Sequence, residues 1–316
     1  MSKQKRILLI AGNGTLGSYV TKELLALGHR VDILCRSEMK SDSENLTYHQ
    51  GAASYEFLLE FLKDKKYDGI ANFLHYKSFD LFKKIHTLLN KKCKHIIFIS
   101  SYRVYADTEH PIKESSPRLY DVIKDADFLE KEDYAIPKAR CESYLMKKCW
   151  WQKWTIVRPV ISFSKKRLDL LLHSGLSVLN AAKSGTPIYL PESSRNHHAG
   201  LDWAGNSGKL IAHLFLNPKA YRKAFTVYSG HGMTWEDVAE AYSETTGVKI
   251  CWCSDEEYEK RTPVMRDNPW IWQYDRAYDR HIDPSRILKA TGLTDKDFLS
   301  VADGIRYELS LLNWSK

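Results

Sequence analysis

The chain has 316 residues, and its 47 Lys and Arg residues against 39 Asp and Glu residues give a formal net charge of +8. Hydrophobic residues make up 43% and charged residues 27%, which excludes a disordered or collagen-like chain. No apolar run approaches the roughly 20 residues of a membrane span, and residues 7–11 are too short for the core of a secretion signal. The cysteines form no CxxC pair, so we expect reduced thiols in a cytoplasmic protein without a structural metal.

Short apolar runs alternate with helical patterns along the first half of the chain. The predicted strands are residues 6–11, 30–34, 68–74, 95–100 and 154–157. The predicted helices are residues 16–27, 55–63, 79–89 and 134–148. This alternation is typical of a parallel sheet with helices on both faces. We therefore predict an α/β fold, a Rossmann-like doubly wound parallel sheet that forms a dinucleotide-binding domain over residues 1–160.

The pattern loosens in the second half. Predicted helices here are residues 168–183, 204–215, 234–246, 283–290 and 296–312, with one short strand at 226–228. We predict a smaller, mostly helical C-terminal lobe over residues 161–316. It is expected to bind substrate at the carboxyl edge of the sheet, with some segments returning to the first domain.

A glycine-rich turn, AGNGTLG at residues 11–17, follows the first strand and opens a helix. Glycines permit a tight turn and close approach of a pyrophosphate, and the helix N-terminus offers free N–H groups. A turn that binds nothing is the alternative. We expect the cofactor contacts of this turn to come from Gly12, Asn13, Gly14, Thr15, Leu16 and Gly17.

The end of the second strand indicates which dinucleotide is bound. NAD sites commonly place Asp or Glu there to bond the ribose 2′-hydroxyl. This chain has Cys35, Arg36 and Ser37 at that point, and Asp32 lies inside the strand. A cation and a hydroxyl suit a 2′-phosphate, so we expect Arg36 and Ser37 to bind NADP. The alternatives are NAD and a merely solvated Arg36.

A phenol and an ammonium lie four residues apart at Tyr134 and Lys138, on one face of a predicted helix. Tyrosine, with an ordinary pKa of about 10, is a poor acid or base at neutral pH, but an adjacent Lys⁺ favours the phenolate. The fourth strand ends at Ser100 and Ser101, at the sheet edge where the nicotinamide is expected. Serine, tyrosine and lysine together can polarise a carbonyl and pass a proton while a hydride moves.

Together these motifs resemble the extended short-chain dehydrogenase/reductases, the superfamily of nucleotide-sugar epimerases and dehydratases. The resemblance covers nearly the whole chain. Its pieces come in family order: AGNGTLG (11–17), SSYRVY (100–105), YAIPK (134–138), RP (158–159), Arg195 seven residues before Asp202, and DPSR (283–286).

The resemblance implies a role for each matching residue. Tyr134 would be the catalytic acid/base, and Lys138 its partner and a ligand of the nicotinamide ribose. Ser101 would orient the carbonyl, with Ser100 as the weaker candidate. Arg195 would bind the diphosphate of a nucleotide-sugar substrate. The resemblance also allows a homodimer.

Several positions depart from the family pattern. Ala11 stands where the extended GxxGxxG pattern begins with glycine, and Pro137 is tolerable only in the first turn of its helix. Tyr102 and Arg103 replace the Asp-Glu pair of the 4,6-dehydratases, which argues against dehydration. The VISF segment at 160–163 lacks the Asn that epimerases commonly place near the diphosphate.

Other segments have two interpretations each. Residues 106–133 form either a lid over the active site or a solvated excursion. Residues 270–276 either cap the substrate cleft or pack in the core. We expect His197 and His198 to be a loop pair, and Trp150 and Trp151 to be core residues.

The sequence therefore predicts an NADP-dependent oxidoreductase or epimerase acting on a sugar-like, nucleotide-linked or other hydroxyl or carbonyl substrate, away from the membrane. Two alternatives stay open. The first is an RNA-binding protein on the same fold, like the chloroplast stem-loop-binding proteins that resemble this family, which the +8 charge permits. The second is a non-catalytic, cofactor-sensing regulator. The intact serine, tyrosine and lysine set argues against a pure binding module, so we do not expect a nucleic-acid partner.

Overall fold

The fold is taken from a computed structural model that describes residues 3–41, 43–132, 134–165 and 167–314. The strands are β1 (Arg6–Ile10), β2 (Arg30–Cys35), β3 (Leu46–Gln50), β4 (Tyr67–Asn72), β5 (Cys93–Ile99), β6 (Trp154–Pro159), β7 (Ile161–Phe163), β8 (Ile188–Pro191), β9 (Leu201–Trp203), β10 (Lys223–Val227) and β11 (Ile250–Cys253). The α-helices are α1 (Thr15–Ala26), α2 (Tyr55–Phe61), α3 (Phe79–Lys92), α4 (Leu119–Val122), α5 (Ala126–Lys131), α6 (Ala135–Lys148), α7 (Gly175–Ser184), α8 (Ala204–Ala212), α9 (Trp235–Thr246), α10 (Asp255–Arg261), α11 (Val264–Asp267), α12 (Ser285–Thr291) and α13 (Val301–Ser310).

Seven strands form one sheet in the order β10-β6-β5-β4-β1-β2-β3. Every pair of neighbours in it runs parallel. The strand order reverses between β1 and β4, and open α/β sheets bind ligands outside the carboxyl ends of the strands at such a point. This arrangement confirms the predicted Rossmann-like, doubly wound α/β fold.

Both faces of the sheet are covered, which explains why its central strands are mainly apolar. Ile7 packs with Val20 of α1 and Leu210 of α8 on one face. The next residue, Leu8, packs with Phe82 of α3 on the other face. Alternate side chains of a strand point to opposite faces, so a strand buried on both sides needs an unbroken apolar run.

The second half of the chain contributes both to this sheet and to a separate core. β10 joins the sheet beside β6, while β7 pairs with β9 and β8 pairs with β11. A third apolar cluster includes Phe163, Trp235 and Tyr242. The division of the chain near residue 160 stays a prediction. No helix in the described ranges is long and apolar enough to cross a membrane.

Several elements were missed or misplaced by the sequence analysis, and three examples show why. β3 was not predicted, because it is an edge strand whose residues are mostly half-exposed and carry no apolar run. The helix expected from residue 168 begins at Gly175, after the side chain of Ser174 caps its first turn. Trp150 and Trp151 are 67% and 60% exposed, because α6 ends at Lys148 and leaves them in a surface turn.

Candidate active site

A cleft of about 470 Å³ lies at the carboxyl edge of the sheet, and most of the predicted site residues line it. The glycine-rich turn contributes Gly14, Thr15, Leu16 and Gly17; the end of β5 contributes Ser100 and Ser101; and the start of α6 contributes Tyr134 and Lys138. Gly12 and Asn13 belong to the same turn. The lining residues do not include Arg36, Ser37 or Arg195.

The geometry of the turn explains each of its glycines. A Cβ on Gly12 would lie 2.5 Å from the Cβ of Leu9, and one on Gly17 would lie 2.1 Å from the carbonyl oxygen of Gly12. These two glycines are therefore required by packing inside the protein. A Cβ on Gly14 would meet no protein atom within 4 Å, so its smallness leaves room on the cleft side. Ala11 holds a left-handed conformation, with φ +57°.

The turn fits the pyrophosphate of a dinucleotide. Gly14 is the N-cap of α1 and supplies no capping side chain, and the first turn of α1 contains no acidic residue. The unpaired N–H groups and the positive end of the helix dipole are thus left for an anion. No group of three or more His, Cys, Asp or Glu residues in the described ranges could hold a metal ion.

The end of β2 contains one buried carboxylate, a buried thiol and two exposed polar residues. Asp32 is buried within the strand, where its carboxylate accepts from Arg6 Nε at 2.8 Å and lies 3.0 Å from His49 Nε2. It is therefore committed inside the sheet. Cys35 is buried, which raises the pKa of its thiol, whereas Arg36 and Ser37 are exposed.

Tyr134 is the N-cap of α6, and Pro137 falls in the first turn, where a missing N–H removes no helical hydrogen bond. The backbone N–H groups of Tyr134 and Ile136 both donate to Glu132 Oε2, each at 3.0 Å. The ring of Tyr134 stacks on His75, with centroids 5.6 Å apart. Glu132 thus fixes the end of the helix that presents the phenol to the cleft.

Lys138 joins α6 to the sheet. Its ammonium donates to the carbonyl oxygen of Ile99, the last residue of β5, at 2.7 Å. The same nitrogen lies 5.5 Å from the centroid of the Tyr134 ring. Burial lowers the pKa of Lys138 to about 8. A proton can therefore leave this buried amine more readily than it leaves an ordinary lysine.

Ser101 is buried at the cleft wall, and its Oγ accepts the N–H of Arg103 at 3.2 Å. That contact uses an oxygen lone pair and leaves the hydroxyl hydrogen to donate to a ligand. Ser100 also lines the cleft. Both serines are therefore placed at the cleft, as expected from the end of the fourth predicted strand.

Arg158 of the RP motif has a structural role that the sequence did not reveal. It is 1% exposed, and its Nε and Nη2 donate to the two carboxylate oxygens of Glu142 at 2.9 and 2.7 Å. Glu142 lies on α6, so this bidentate pair joins β6 to the helix that carries Tyr134 and Lys138.

A cluster of arginines beside the cleft was also missed. Arg103 and Arg276 line the cleft, and Arg280 is buried behind them. All three surround the buried carboxylate of Asp275. Two features of the sequence could have indicated this cluster. Arg103 stands where the 4,6-dehydratases have an acidic residue, and Arg276 ends the segment that was expected either to cap the cleft or to pack in the core.

Arg195 lies elsewhere in the described part of the molecule. Its Nε donates to Glu236 at 2.9 Å, its Nη1 pairs with Glu192 at 3.2 Å, and its guanidinium lies over the ring of Trp252. To reach a ligand phosphate, this side chain would have to leave two carboxylates. Contact between Arg195 and a diphosphate stays a prediction.

The segment at residues 270–276 both packs and borders the cleft. Trp270 and Tyr274 pack on Phe128 of α5, while Ile271 and Arg276 line the cleft. Residues 106–132 therefore contact, through Phe128, the segment that supplies two lining residues of the cleft. Residue 133, the last of the predicted lid, lies outside the described residues.

The two adjacent histidines contact other side chains and the backbone. His198 Nδ1 lies 2.9 Å from the carboxylate of Asp279, and its ring stacks on His281 at 4.3 Å. His197 Nδ1 lies 3.0 Å from the carbonyl oxygen of Ala277.

Comparison with known proteins gives one relative by sequence and many by structure. No protein-family model matches the chain. A UDP-glucose 4-epimerase of Lacticaseibacillus casei is 28% identical over 134 residues, a match that covers 36% of this chain and 40% of that protein.

The similar solved structures span almost the whole chain. UDP-N-acetylglucosamine 4-epimerase from Bacillus cereus has a TM-score of 0.70 at 16% identity, over 98% of this chain and 97% of that one. Bordetella bronchiseptica WbmG, solved with NAD and UDP, has a TM-score of 0.71 at 16% identity, over 99% and 95%. Thermus thermophilus UDP-glucose 4-epimerase, solved with NAD, has a TM-score of 0.66 at 16% identity, over 98% and 100%.

These likenesses establish the architecture. The chain has the fold of the extended short-chain dehydrogenase/reductases, the fold in which the similar UDP-sugar epimerases are built. The resemblance inferred from the motifs is thereby confirmed at the level of the fold.

Proposed function

We propose that the protein is an enzyme of the extended short-chain dehydrogenase/reductase type, an epimerase or oxidoreductase that uses a nicotinamide dinucleotide and acts on a nucleotide-sugar. The observation that carries the proposal is the convergence of Ser101, Tyr134, Lys138 and the glycine-rich turn on one cleft. A binding module without catalysis needs no such convergence of proton-transfer groups. The RNA-binding and regulatory alternatives are for this reason not favoured.

The chain's own residues would hold and move the proton. Tyr134, as a phenolate, takes the proton of the substrate hydroxyl and becomes the phenol, and Lys138 stabilises the phenolate through its nearby charge. Ser101 donates its hydroxyl hydrogen to the carbonyl oxygen that forms on the substrate. The dinucleotide, when bound on the turn at residues 11–17, supplies a hydride acceptor and donor. An epimerase takes the hydride and returns it to the same substrate, whereas a reductase releases oxidised cofactor in each turnover.

We propose NADP as the cofactor, with NAD as the rival. Support comes from the strand end, where Arg36 and Ser37 are exposed and Asp32 is committed to Arg6 and His49. A free 2′-hydroxyl would find no carboxylate at position 35, 36 or 37, whereas a 2′-phosphate would find the cation of Arg36. The rival has support too, because the similar Bordetella and Thermus structures contain NAD.

The nucleotide-sugar part of the proposal rests on two supports. The similar solved proteins include UDP-sugar 4-epimerases, and WbmG was solved with UDP. Arg195 remains the candidate for the diphosphate, provided that ligand binding draws it away from Glu192 and Glu236. A cytoplasmic location rests on the sequence pattern alone.

A homodimer is also proposed, through the outer face of α3 and α6. Phe79 of α3 and Tyr120 of α4 are 38% and 39% exposed there, beside Tyr144 of α6. Exposed apolar side chains of this kind on neighbouring helices suit burial against a second copy. Sedimentation of the purified protein tests this assembly, and a monomer at all concentrations would contradict it.

The function is tested by incubating the protein with UDP-glucose or UDP-N-acetylglucosamine and each oxidised cofactor. Appearance of the C4 epimer in NMR spectra, without net change in reduced cofactor, identifies an epimerase. Oxidation of the substrate with equal formation of reduced cofactor identifies an oxidoreductase. Absence of turnover together with absence of dinucleotide binding would contradict the proposal.

A further inference from the structure

We propose that the sugar of the substrate carries a carboxylate near its reacting carbon and that Arg103, with Arg276 beside it, binds this carboxylate. The inference rests on the proposed function and narrows its substrate class to nucleotide-linked uronic acids. Arg103 lines the cleft close to Tyr134, the proposed acid/base. The guanidinium carbon of Arg103 lies 4.9 Å from the centroid of the Tyr134 ring.

Arg103 is held in that position from both ends. Its backbone N–H donates to Ser101 Oγ at 3.2 Å, which places it directly after the proposed carbonyl-orienting residue. Its Nε lies 3.2 Å from Asp275, and its Nη2 lies 3.4 Å from Glu132, the carboxylate that also caps α6. A side chain fixed by two carboxylates can bind a ligand without first losing much conformational freedom.

Arg276 is held in the same way. Its Nη1 donates to the hydroxyl of Tyr102 at 2.8 Å and contacts Asp275, and its Nε donates to the carbonyl oxygen of Leu171 at 3.4 Å. Within the described residues, Nη2 of Arg103 and both Nε and Nη1 of Arg276 donate hydrogen bonds, and Nε of Arg103 lies at ion-pair distance from Asp275 without a hydrogen bond. The remaining amino group of each guanidinium is left for a ligand in the cleft that both line.

The charges of the cluster do not cancel. Arg103, Arg276 and Arg280 face the carboxylates of Asp275 and Glu132, three cations against two anions, and none of these side chains is more than 18% exposed. Burial alone would raise the pKa of Asp275, but its arginine neighbours outweigh it and lower that pKa, so the carboxylate stays ionised. At the same wall, Arg167 is paired with Asp169 and adds no net charge.

An uncompensated guanidinium in a partly buried cleft is unfavourable until an anion joins it. A nucleotide-sugar carries its diphosphate on the anomeric carbon, away from the carbon whose hydroxyl meets Tyr134. A cation over the Tyr134 ring therefore suits a different anion, one on the sugar itself. A carboxylate matches the planar guanidinium through two parallel hydrogen bonds.

UDP-glucuronate and UDP-glucose form a matched pair of probes, because they differ only in a carboxylate against a hydroxymethyl group. Binding of both, with UDP as a third probe, is measured by calorimetry on the dinucleotide-loaded protein. The variants are Arg103→Met and Arg103→Lys, with Arg306→Met, an exposed arginine of α13, as the control. A thermal melt of each variant checks that it is folded.

We expect the unmutated protein and Arg306→Met to bind UDP-glucuronate at least about tenfold more tightly than UDP-glucose, the range of a charge-assisted hydrogen bond. Arg103→Met should remove that preference without changing the affinity for UDP, and Arg103→Lys should keep part of it. Equal affinity for the two sugars in the unmutated protein, or no measurable binding of UDP-glucuronate, would overturn the inference.

The outcome for the proposed function is separate. If UDP-glucuronate binds preferentially through Arg103 but is neither epimerised nor oxidised, the inference stands and the catalytic proposal fails. If UDP-glucose is turned over and Arg103→Met weakens UDP itself, then Arg103 serves the diphosphate, the catalytic proposal stands and the inference fails.

Discussion

Lys138 lowers the stability of the fold, although the proposed chemistry of the cleft uses it. The lysine is buried, and burial lowers its pKa to about 8, well below the ordinary value of about 10.4. Below pH 8 the folded protein must hold a buried charge that the unfolded chain holds in water. We infer that Lys138 is retained for its effect on Tyr134 and the cofactor rather than for packing.

Lys138→Met should therefore stabilise the protein while removing its activity. At pH 7 we expect the free energy of unfolding to rise by about 1–3 kcal/mol, the effect of a shift of this size less the lost hydrogen bond to Ile99. Between pH 8 and about 10 the unfolded chain binds the extra proton, so the unmutated protein gains stability as pH rises and the advantage of the variant disappears. Urea unfolding of both proteins across this range measures the difference, and a difference that grows with pH would contradict the account.

The cofactor preference depends on one exposed residue, Arg36. NADPH should bind at least about tenfold more tightly than NADH, and Arg36→Ala should remove most of that gap, because a charge-assisted hydrogen bond contributes about 1.5–3 kcal/mol. Arg30→Ala, at the opposite end of β2, is the matched control and should leave the preference unchanged. Fluorescence titration with both reduced cofactors measures it. A preference for NADH would favour a tightly held NAD in an epimerase.

Site residues that lie close together in the sequence could be predicted from their spacing, whereas those that meet only in the folded protein could not. Tyr134 and Lys138 are one helical turn apart, so their shared face follows from helix geometry alone. Arg103 and Asp275 are 172 positions apart in the sequence, and nothing local indicates that they meet at 3.2 Å. Arg195 shows the opposite problem, since its spacing suggested a ligand while the fold supplies it with Glu192 and Glu236.

At the scale of elements, the start of α6 is positioned by Glu132. Glu132→Ala removes the acceptor of two N–H groups and should lower the free energy of unfolding by about 1–2 kcal/mol. It should also lower kcat, because Tyr134 loses the contact that orients it, and Glu132→Gln should recover part of that loss. Ser174→Ala removes the cap of α7, away from the cleft, as a control. A similar loss of stability with unchanged kcat is expected there, and unchanged kcat in Glu132→Ala would show that the cap is only structural.

The glycine-rich turn allows fold and ligand binding to be separated. Gly17→Ala should destabilise the protein, because its Cβ would lie 2.1 Å from the carbonyl oxygen of Gly12. Gly14→Ala meets no protein atom within 4 Å and should leave the melting temperature nearly unchanged. It should nevertheless weaken dinucleotide binding by about tenfold or more, or about 1.4 kcal/mol, by occupying the space beside the pyrophosphate. Unchanged affinity in Gly14→Ala would place the pyrophosphate elsewhere.

Elements were predictable where burial imposes a pattern. The apolar strands at the centre of the sheet and the amphipathic helices that cover it were predicted from their periodicity. β3 was missed because it is an edge strand in which only Leu46 and Tyr48 are packed, and only partly buried, so its LTYHQ sequence carries no apolar run. Leu168, Leu170 and Leu171 were mistaken for helix because they are apolar at close spacing, but the chain turns through a bridge between Leu170 and His173 before α7 begins.

At the scale of the whole molecule, the site is assembled from both halves of the chain. The turn, the serines, Tyr134 and Lys138 come from the first half, and Arg276 comes from the second. β10 belongs to the second half of the chain, yet it pairs with β6 and completes the sheet. The order of the first-half strands follows from the alternation of strands and helices. The contacts across the cleft depend on tertiary packing, which no local pattern in the sequence encodes.

We propose Tyr134 as the acid/base of a hydride-transfer enzyme. The most direct measurement compares turnover of the best UDP-sugar substrate by the unmutated protein, by Tyr134→Phe and by Tyr120→Phe, an exposed tyrosine outside the cleft lining. Dinucleotide affinity and melting temperature are measured on the same samples. We expect Tyr134→Phe to lose about 10²–10⁴-fold in kcat with both of those properties nearly unchanged, and Tyr120→Phe to behave like the unmutated protein. Full activity in folded, cofactor-bound Tyr134→Phe would contradict the account.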